Sequence, residues 1–218
     1  MQFVRASDPS MGQSVLISLL SDTLKTSKVL YLMSGGSNID IEIEVLNGID
    51  AELTANLSIF LCDERYGNSN HPDSNYTQLI NKGFNVKDAT FVNILSDNSS
   101  PIDTLQLYID IYKQYRDQAD VIIGQFGIGK DGHIAGVLPN SPAVNSTAIA
   151  EYYDYSPFNR ITLTLETLKD VDKAFVFCYG EDKKDALINL NDGSQDKNSM
   201  PSIILRELAD VIVYNDQV

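Results

Sequence analysis

KVLYLM (Lys28–Met33), SGGSN (Ser34–Asn38) and IDIEIEVL (Ile39–Leu46) follow one another without a gap, and the reading of this stretch decides the fold. Val29 to Met33 is an unbroken apolar run. It lacks the polar alternation of a half-exposed strand, so it suits a strand covered on both faces of a parallel sheet. The glycine pair ends it. Ile39, Ile41, Ile43 and Val45 then alternate with acids, as a second strand would. A parallel neighbour, however, requires a crossover, usually helical, and Ile39–Leu46 is therefore read as a helix.

The same rhythm extends in both directions. LSIFLCD (Leu57–Asp63), ATFVNIL (Ala89–Leu95), DVIIGQFGIG (Asp120–Gly129), ITLTLETL (Ile161–Leu168), KAFVFCYG (Lys173–Gly180) and ADVIVYN (Ala209–Asn215) read as strands. Between them, Ser14–Leu24, Asp73–Asn81 and Lys184–Leu190 read as helices. Leu105, Tyr108, Ile109 and Tyr112 fall at i, i+3, i+4 and i+7, one face of another. This βαβ alternation predicts an α/β fold: a doubly wound, mostly parallel sheet with helices on both faces. Residues 1–218 form one domain in this reading, and the polar stretch Asn189–Ser199 is a mobile loop rather than a linker.

Composition narrows the function. Sixteen Lys and Arg against thirty Asp and Glu leave a net charge of −14. Nucleic-acid and anionic-membrane binders need a basic face, so neither partner is expected. An anionic substrate would need a local cluster of cations held against the protein's own field. No apolar run reaches the length of a membrane-spanning helix, and MQFVRASDPS lacks the layout of a signal peptide. Cys62 and Cys178 each sit in an apolar run and read as buried free thiols, which fits a reducing, cytoplasmic setting. Two histidines and two cysteines give no zinc spacing.

In open α/β sheets ligands bind beyond the carboxyl ends of the strands. Ser34-Gly35-Gly36-Ser37 follows the first long strand. Its glycines allow close backbone approach to an anion, with a helix N-terminus behind; the same residues would serve as a plain capped turn. Asp63-Glu64-Arg65 ends the next strand, either as a functional cluster or as a solvated salt-bridge corner. His71, before Pro72, reads as a loop residue. Gly127-Ile128-Gly129-Lys130-Asp131-Gly132-His133 is the third such turn. A histidine titrates near neutral pH, and Asp131, two residues before His133, is placed to orient the imidazole or to bond the turn's own backbone. Arg160 and Lys183 are ordinary surface charges taken singly. With Arg65 they are candidates for the cationic cluster, Arg as a planar fork and Lys as a point charge.

Taken in order, Ser-Gly-Gly-Ser, Asp-Glu-Arg with His71-Pro72-Asp73-Ser74-Asn75-Tyr76, Gly-Ile-Gly-Lys-Asp-Gly-His-Ile-Ala, Leu138-Pro139-Asn140-Ser141-Pro142-Ala143, Arg-Ile-Thr and Gly-x-x-Lys resemble 6-phosphogluconolactonase. That family shares its fold with glucosamine-6-phosphate deaminase, and the likeness runs from about residue 28 to 205. Arg65 stands where the deaminase pattern has an aromatic, and Leu138 stands where it has a catalytic Glu. The resemblance therefore implies a hydrolase acting on a phosphorylated sugar lactone, monomeric or weakly self-associating, without metal or organic cofactor. It implies His133 as general base, with Asp131, Asp63 and Arg65 in the catalytic group. Ser34, Gly35, Gly36, Ser37, Arg160 and Lys183 would bind the phosphate. The deaminase, or a non-catalytic sugar-phosphate sensor, is the alternative. Three places depart from the family pattern: Ser37-Asn38, Tyr66-Gly67 and Gly136-Val137.

Overall fold

The computed structural model describes residues 1–218. The chain opens with a strand β1 (Gln2–Arg5), absent from the sequence reading, then α1 (Ser10–Leu24), β2 (Val29–Met33) and α2 (Ile39–Asn47). The segment after the glycine pair is thus helical, as the crossover argument requires. Next come β3 (Leu57–Leu61), β4 (Asp63–Arg65), α3 (Asn75–Asn81), β5 (Thr90–Phe91), α4 (Pro101–Gln118) and β6 (Val121–Phe126). The last part holds β7 (Ala150–Tyr153), β8 (Arg160–Leu163), α5 (Leu165–Leu168), β9 (Lys173–Cys178), α6 (Lys184–Asp192) and β10 (Val211–Asn215).

Seven strands form an all-parallel sheet in the order β1-β10-β9-β6-β2-β3-β5. Strand alternation sends Val29, Tyr31 and Met33 to one face and Leu30 and Leu32 to the other. The first set packs with Leu16, Leu20 and Leu24 of α1 and with Ile39, Val45 and Leu46 of α2. The second meets α4 and α6, through Tyr108, Tyr112, Leu187 and Leu190. Phe60 of β3 packs its ring 4.6 Å from that of Tyr108. No helix is long and apolar enough to cross a membrane.

Four readings need correction. LSIFLCD is not one strand. The Cys62 N–H still donates to Met33 in the main sheet, while the Cys62 carbonyl accepts from Leu163 of β8. The chain changes sheets at that residue, and Asp63–Arg65 belongs to a separate antiparallel sheet, β4-β8-β7. ITLTLETL is strand only to Leu163. Thr164 then accepts the Thr167 N–H and caps the short α5. ATFVNIL pairs only at Thr90 and Phe91, a short edge of the kind that resists further pairing. The polar stretch after α6 begins later than expected, since the helix runs to Asp192 and ends at Gly193 in the left-handed region. Arg206 donates to the carbonyls of Leu190 and Asn191 there, satisfying acceptors that a helix end leaves open.

Topology now places the site. From β2 the chain proceeds to β3 on one side, and later inserts β6 on the other. The loops after β2 and β6 therefore diverge from a common point, where an α/β sheet opens a crevice. Met33 lies level with both Gln125 and Leu61, so the loops following β2, β6 and β3 leave the sheet side by side.

Candidate active site

Strand geometry assembles the charged cluster. Asp63 and Arg65 are two apart on β4 and share a face. Antiparallel pairing sets Arg65 opposite Arg160 and Asp63 opposite Thr162, and opposed residues also share a face. Asp63 Oδ2 lies 3.4 Å from Arg160 Nη1 and 4.0 Å from Arg65 Nε. Only 3% of Asp63 is exposed. Burial pushes its carboxyl up, and the two guanidinium groups pull against that shift. Glu64 turns to the other face and is structural. It accepts the Asn75 and Tyr76 N–H groups at 2.7 and 3.0 Å and the Ser74 hydroxyl at 3.0 Å. It thereby ties β4 to the start of α3, where a carboxylate is favoured.

The loop after β6 folds onto itself. Gly129 donates to the His133 carbonyl, Gly132 donates to Gly129, and Ile128 bridges to Ile134. His133 Nδ1 stands 2.6 Å from Asp131 Oδ1, which also accepts the His133 backbone N–H at 3.3 Å. The bond to His133 holds the Asp131 carboxyl down at about 2. An ionised carboxylate only accepts, so Nδ1 carries a hydrogen toward it, and in the neutral tautomer so fixed the lone pair is on Nε2. Gly129 is sterically required: a Cβ there would sit 2.0 Å from His133 Nδ1.

The loop after β2 is held from below. Gly35 and Gly36 have φ of +65° and +59°, a region that glycine enters freely. The Ser34 and Gly35 N–H groups donate to Glu42 Oε1 at 3.0 and 2.9 Å. A Cβ on Gly35 would lie 2.7 Å from Asn75 Cγ, and one on Gly36 would lie 3.8 Å from Arg65 Nη2. The glycine pair thus lets the loop reach the Arg65 guanidinium.

These parts enclose a cleft of about 220 Å³. Of the ten residues singled out from the sequence, nine line it: Ser34 to Ser37, Asp63, Arg65, His133, Arg160 and Lys183. The tenth, Asp131, stands behind His133. His71 lies outside; its Nε2 is 2.8 Å from the Arg65 carbonyl. No group of three or more His, Cys, Asp or Glu side chains forms that could hold a metal ion. Cys62 and Cys178 are buried and unbridged.

Two of the departures from the family pattern have a local explanation. A Cβ at Gly136 would meet Asp63 and Thr162 Cβ atoms at 2.7 and 2.8 Å, and the Gly136 N–H donates to Thr162 Oγ1. Gly136 therefore lets the His133 segment pack against the Asp63 strand. At Gly67 a Cβ would collide with the His71 ring at 2.8 Å, while Tyr66 packs on Tyr152 and donates to the Ser99 carbonyl. Three contributors were missed in the sequence. Asn75 donates to the Asp63 carbonyl, Phe158 lies under the Arg65 guanidinium at 5.6 Å, and Glu42 anchors the glycine loop. Asn75 stood inside a motif quoted above but was given no role, Glu42 left a signal as an acid between Ile39 and Val45 on the buried side of α2, and Phe158 left none.

Similarity to known proteins follows the same geometry. Residues 11–213 match the family described as glucosamine-6-phosphate isomerases/6-phosphogluconolactonase. A 6-phosphogluconolactonase of Borreliella burgdorferi is 30% identical over 189 residues, 79% of each chain. A glucosamine-6-phosphate deaminase of Enterococcus faecalis is 22% identical, over 99% of this chain and 97% of its own. Among solved structures, a 6-phosphogluconolactonase from Shewanella baltica superposes with a TM-score of 0.80 at 19% identity, over 99% of this chain and 97% of that one. With a match across nearly the whole chain and a relative at this identity, the chain belongs to the glucosamine-6-phosphate isomerase/6-phosphogluconolactonase family.

Proposed function

We propose that the protein hydrolyses 6-phospho-D-glucono-1,5-lactone to 6-phosphogluconate, in the oxidative branch of the pentose phosphate pathway. The observation that carries this reading is the His133–Asp131 pair, with Nε2 unpaired, beside a cleft containing Arg65, Arg160 and Lys183. A lactone is a cyclic ester. Water attacks its carbonyl carbon while Nε2 takes the water proton, a contribution of about 10²–10⁴-fold in such reactions. The tetrahedral centre then collapses. The bond from that carbon to the ring oxygen breaks, and the imidazolium returns its proton to the departing oxygen. Asp131 holds the ring by Nδ1–H and offsets its transient charge.

At the other end, a phosphate monoester brings about −1.5 to −2 charges. Arg65 reaches the glycine loop and is assigned to the phosphate together with Ser34–Ser37, Arg160 and Lys183. Asp63 is tied to the two arginines, which supports a geometric role for it rather than proton transfer. Leu138 is buried and carries no ionisable group. The deaminase, which has a catalytic acid at the matching position, would lack that group here. The protein is proposed to act as a monomer or weak homo-oligomer, as the family resemblance implies. The two free thiols favour a cytoplasmic setting, and the net charge of −14 disfavours nucleic acid and anionic membranes as partners.

The test is hydrolysis of freshly generated lactone, with product followed through 6-phosphogluconate dehydrogenase against the spontaneous background. Wild type should exceed the background and His133→Ala should not. Equal rates for the two would remove His133 as base. Ammonia released from glucosamine 6-phosphate would establish the deaminase instead.

A further inference from the structure

The proposed chemistry makes no use of Glu42, yet this acid is fully buried directly beneath the glycine loop. Its Oε1 accepts two backbone N–H groups, those of Ser34 and Gly35. Its Oε2 is buried without any partner. Other bonds of the loop use the N–H groups of Asn38 and Ile39, directed to Gly35 and Gly36 carbonyls. None engages the N–H of Gly36 or Ser37. Glu42 thus fixes the first half of the loop and leaves the second half facing the cleft.

A carboxyl in this place carries a second consequence. The titratable groups facing it are Asp63 from β4, Tyr31 from β2 and the Cys62 thiol between β3 and β4. Gln125 of β6, bonded to the Tyr31 hydroxyl, is neutral. Glu42 makes no ion pair, and its burial pushes the carboxyl up to about 7. A dianion arriving on the loop adds negative charge directly above a buried carboxyl that has no cationic partner of its own.

We propose that Glu42 is the positioning residue of the anion loop, and that it takes up a proton when a dianionic group binds there. This rests on the phosphate assignment made above and adds its control by pH. Coupling is reciprocal: an anion that favours protonated Glu42 is itself bound more tightly when Glu42 is protonated. A coupling of about tenfold between the two, within the usual range, gives about fivefold tighter binding at pH 6 than at pH 8.

Sulfate is the probe, because it remains a dianion across this range. Its binding to the whole protein is measured by calorimetry at pH 6, 7 and 8, in two buffers of different ionisation enthalpy, for wild type, Glu42→Gln and Glu42→Leu. Glu42→Gln keeps the carbonyl acceptor and loses the titration; Glu42→Leu loses both. Thermal melting verifies that each variant is folded. Wild type should take up more protons per sulfate than Glu42→Gln near pH 7, and should show the fivefold pH effect that Glu42→Gln lacks. Glu42→Leu should bind at least tenfold more weakly than Glu42→Gln. Equal proton uptake in wild type and Glu42→Gln would overturn the coupling, and wild-type affinity in Glu42→Leu would overturn the positioning. Failure of folded wild type to bind sulfate at all would remove the phosphate assignment itself, and this proposal with it.

Discussion

Gly129→Ala alters no group that takes part in the proposed chemistry, and yet it should abolish most of the turnover. The added methyl would lie 2.0 Å from His133 Nδ1, 2.1 Å from Cε1 and 2.5 Å from Asp131 Oδ1. Ordinary contact begins at 3.4 Å, so the ring must retreat by about 1.4 Å or rotate away. The 2.6 Å bond to Asp131 then breaks or bends. Gly129 lies outside the positive-φ region, so alanine adds no backbone strain there, and the collision with the imidazole and the Asp131 carboxylate is the whole perturbation. Misplacement of a catalytic group by about 1 Å can cost 10²-fold, and complete loss of the base costs about 10²–10⁴-fold. The expected result is a fall in kcat of at least about 10²-fold, with KM within a few-fold of wild type because the phosphate groups are untouched. Steady-state lactone hydrolysis reads both constants, and a melting curve verifies the fold. A folded Gly129→Ala protein with wild-type kcat would refute the placement of His133 as base.

His133→Ala should lower kcat by about 10²–10⁴-fold with little change in KM, read in the same assay. Arg160→Ala and Lys183→Ala should act the other way, raising KM about ten- to a hundredfold, the worth of one charged hydrogen bond, at near-constant kcat. Arg160→Ala should also destabilise the fold, since it strips a partner from the buried Asp63; urea unfolding tests that. For Glu42, the neutral form is preferred in the folded protein: its carboxyl titrates at about 7 there, against an ordinary 4.5. The unfolded chain therefore binds fewer protons between these values, and stability falls as pH rises from 4.5 to 7. The loss is about 3 kcal/mol, so Glu42→Gln should be more stable than wild type at pH 8 and nearly equal to it at pH 4.5.

The parts of this protein governed by local pattern are legible in its sequence. A continuous apolar run such as Val29–Met33 marks a doubly covered strand, and glycines at its end mark a turn that some ligand or neighbour must approach. Nine of the ten residues singled out meet in one cleft because each lies in or near a short motif at a strand end. What escaped was set by pairing between distant segments. Nothing near Asp63 announces that Cys62 bonds to two different sheets, or that Arg65 lies opposite a residue ninety-five positions later. Gly136 looks like a departure from the family pattern until Asp63 and Thr162 are seen to occupy the space a side chain would need. Phe158 is one aromatic in a polar loop until the Arg65 guanidinium is found above it.

An acidic residue at the centre of the proposed phosphate site looks self-defeating in a chain already at −14. The β4–β8 register shows why Asp63 belongs there. Setting Arg65 directly opposite Arg160 brings two guanidinium groups together before any ligand arrives, and like charges directly opposed destabilise a sheet. Asp63, two residues along and on the same face, lies within 4.0 Å of both. It offsets the repulsion in the empty site and fixes the two cations in one orientation. One carboxylate against two guanidiniums still leaves a positive surplus. A phosphate bound as proposed would complete the balance from the open side, where the glycine loop offers N–H groups and Lys183 a further charge. Replacing Asp63 by a neutral residue would raise the positive charge of the site and still weaken it, because binding an anion requires the cations to be held where the anion will be. Preorganisation, more than net charge, is what the buried acid contributes.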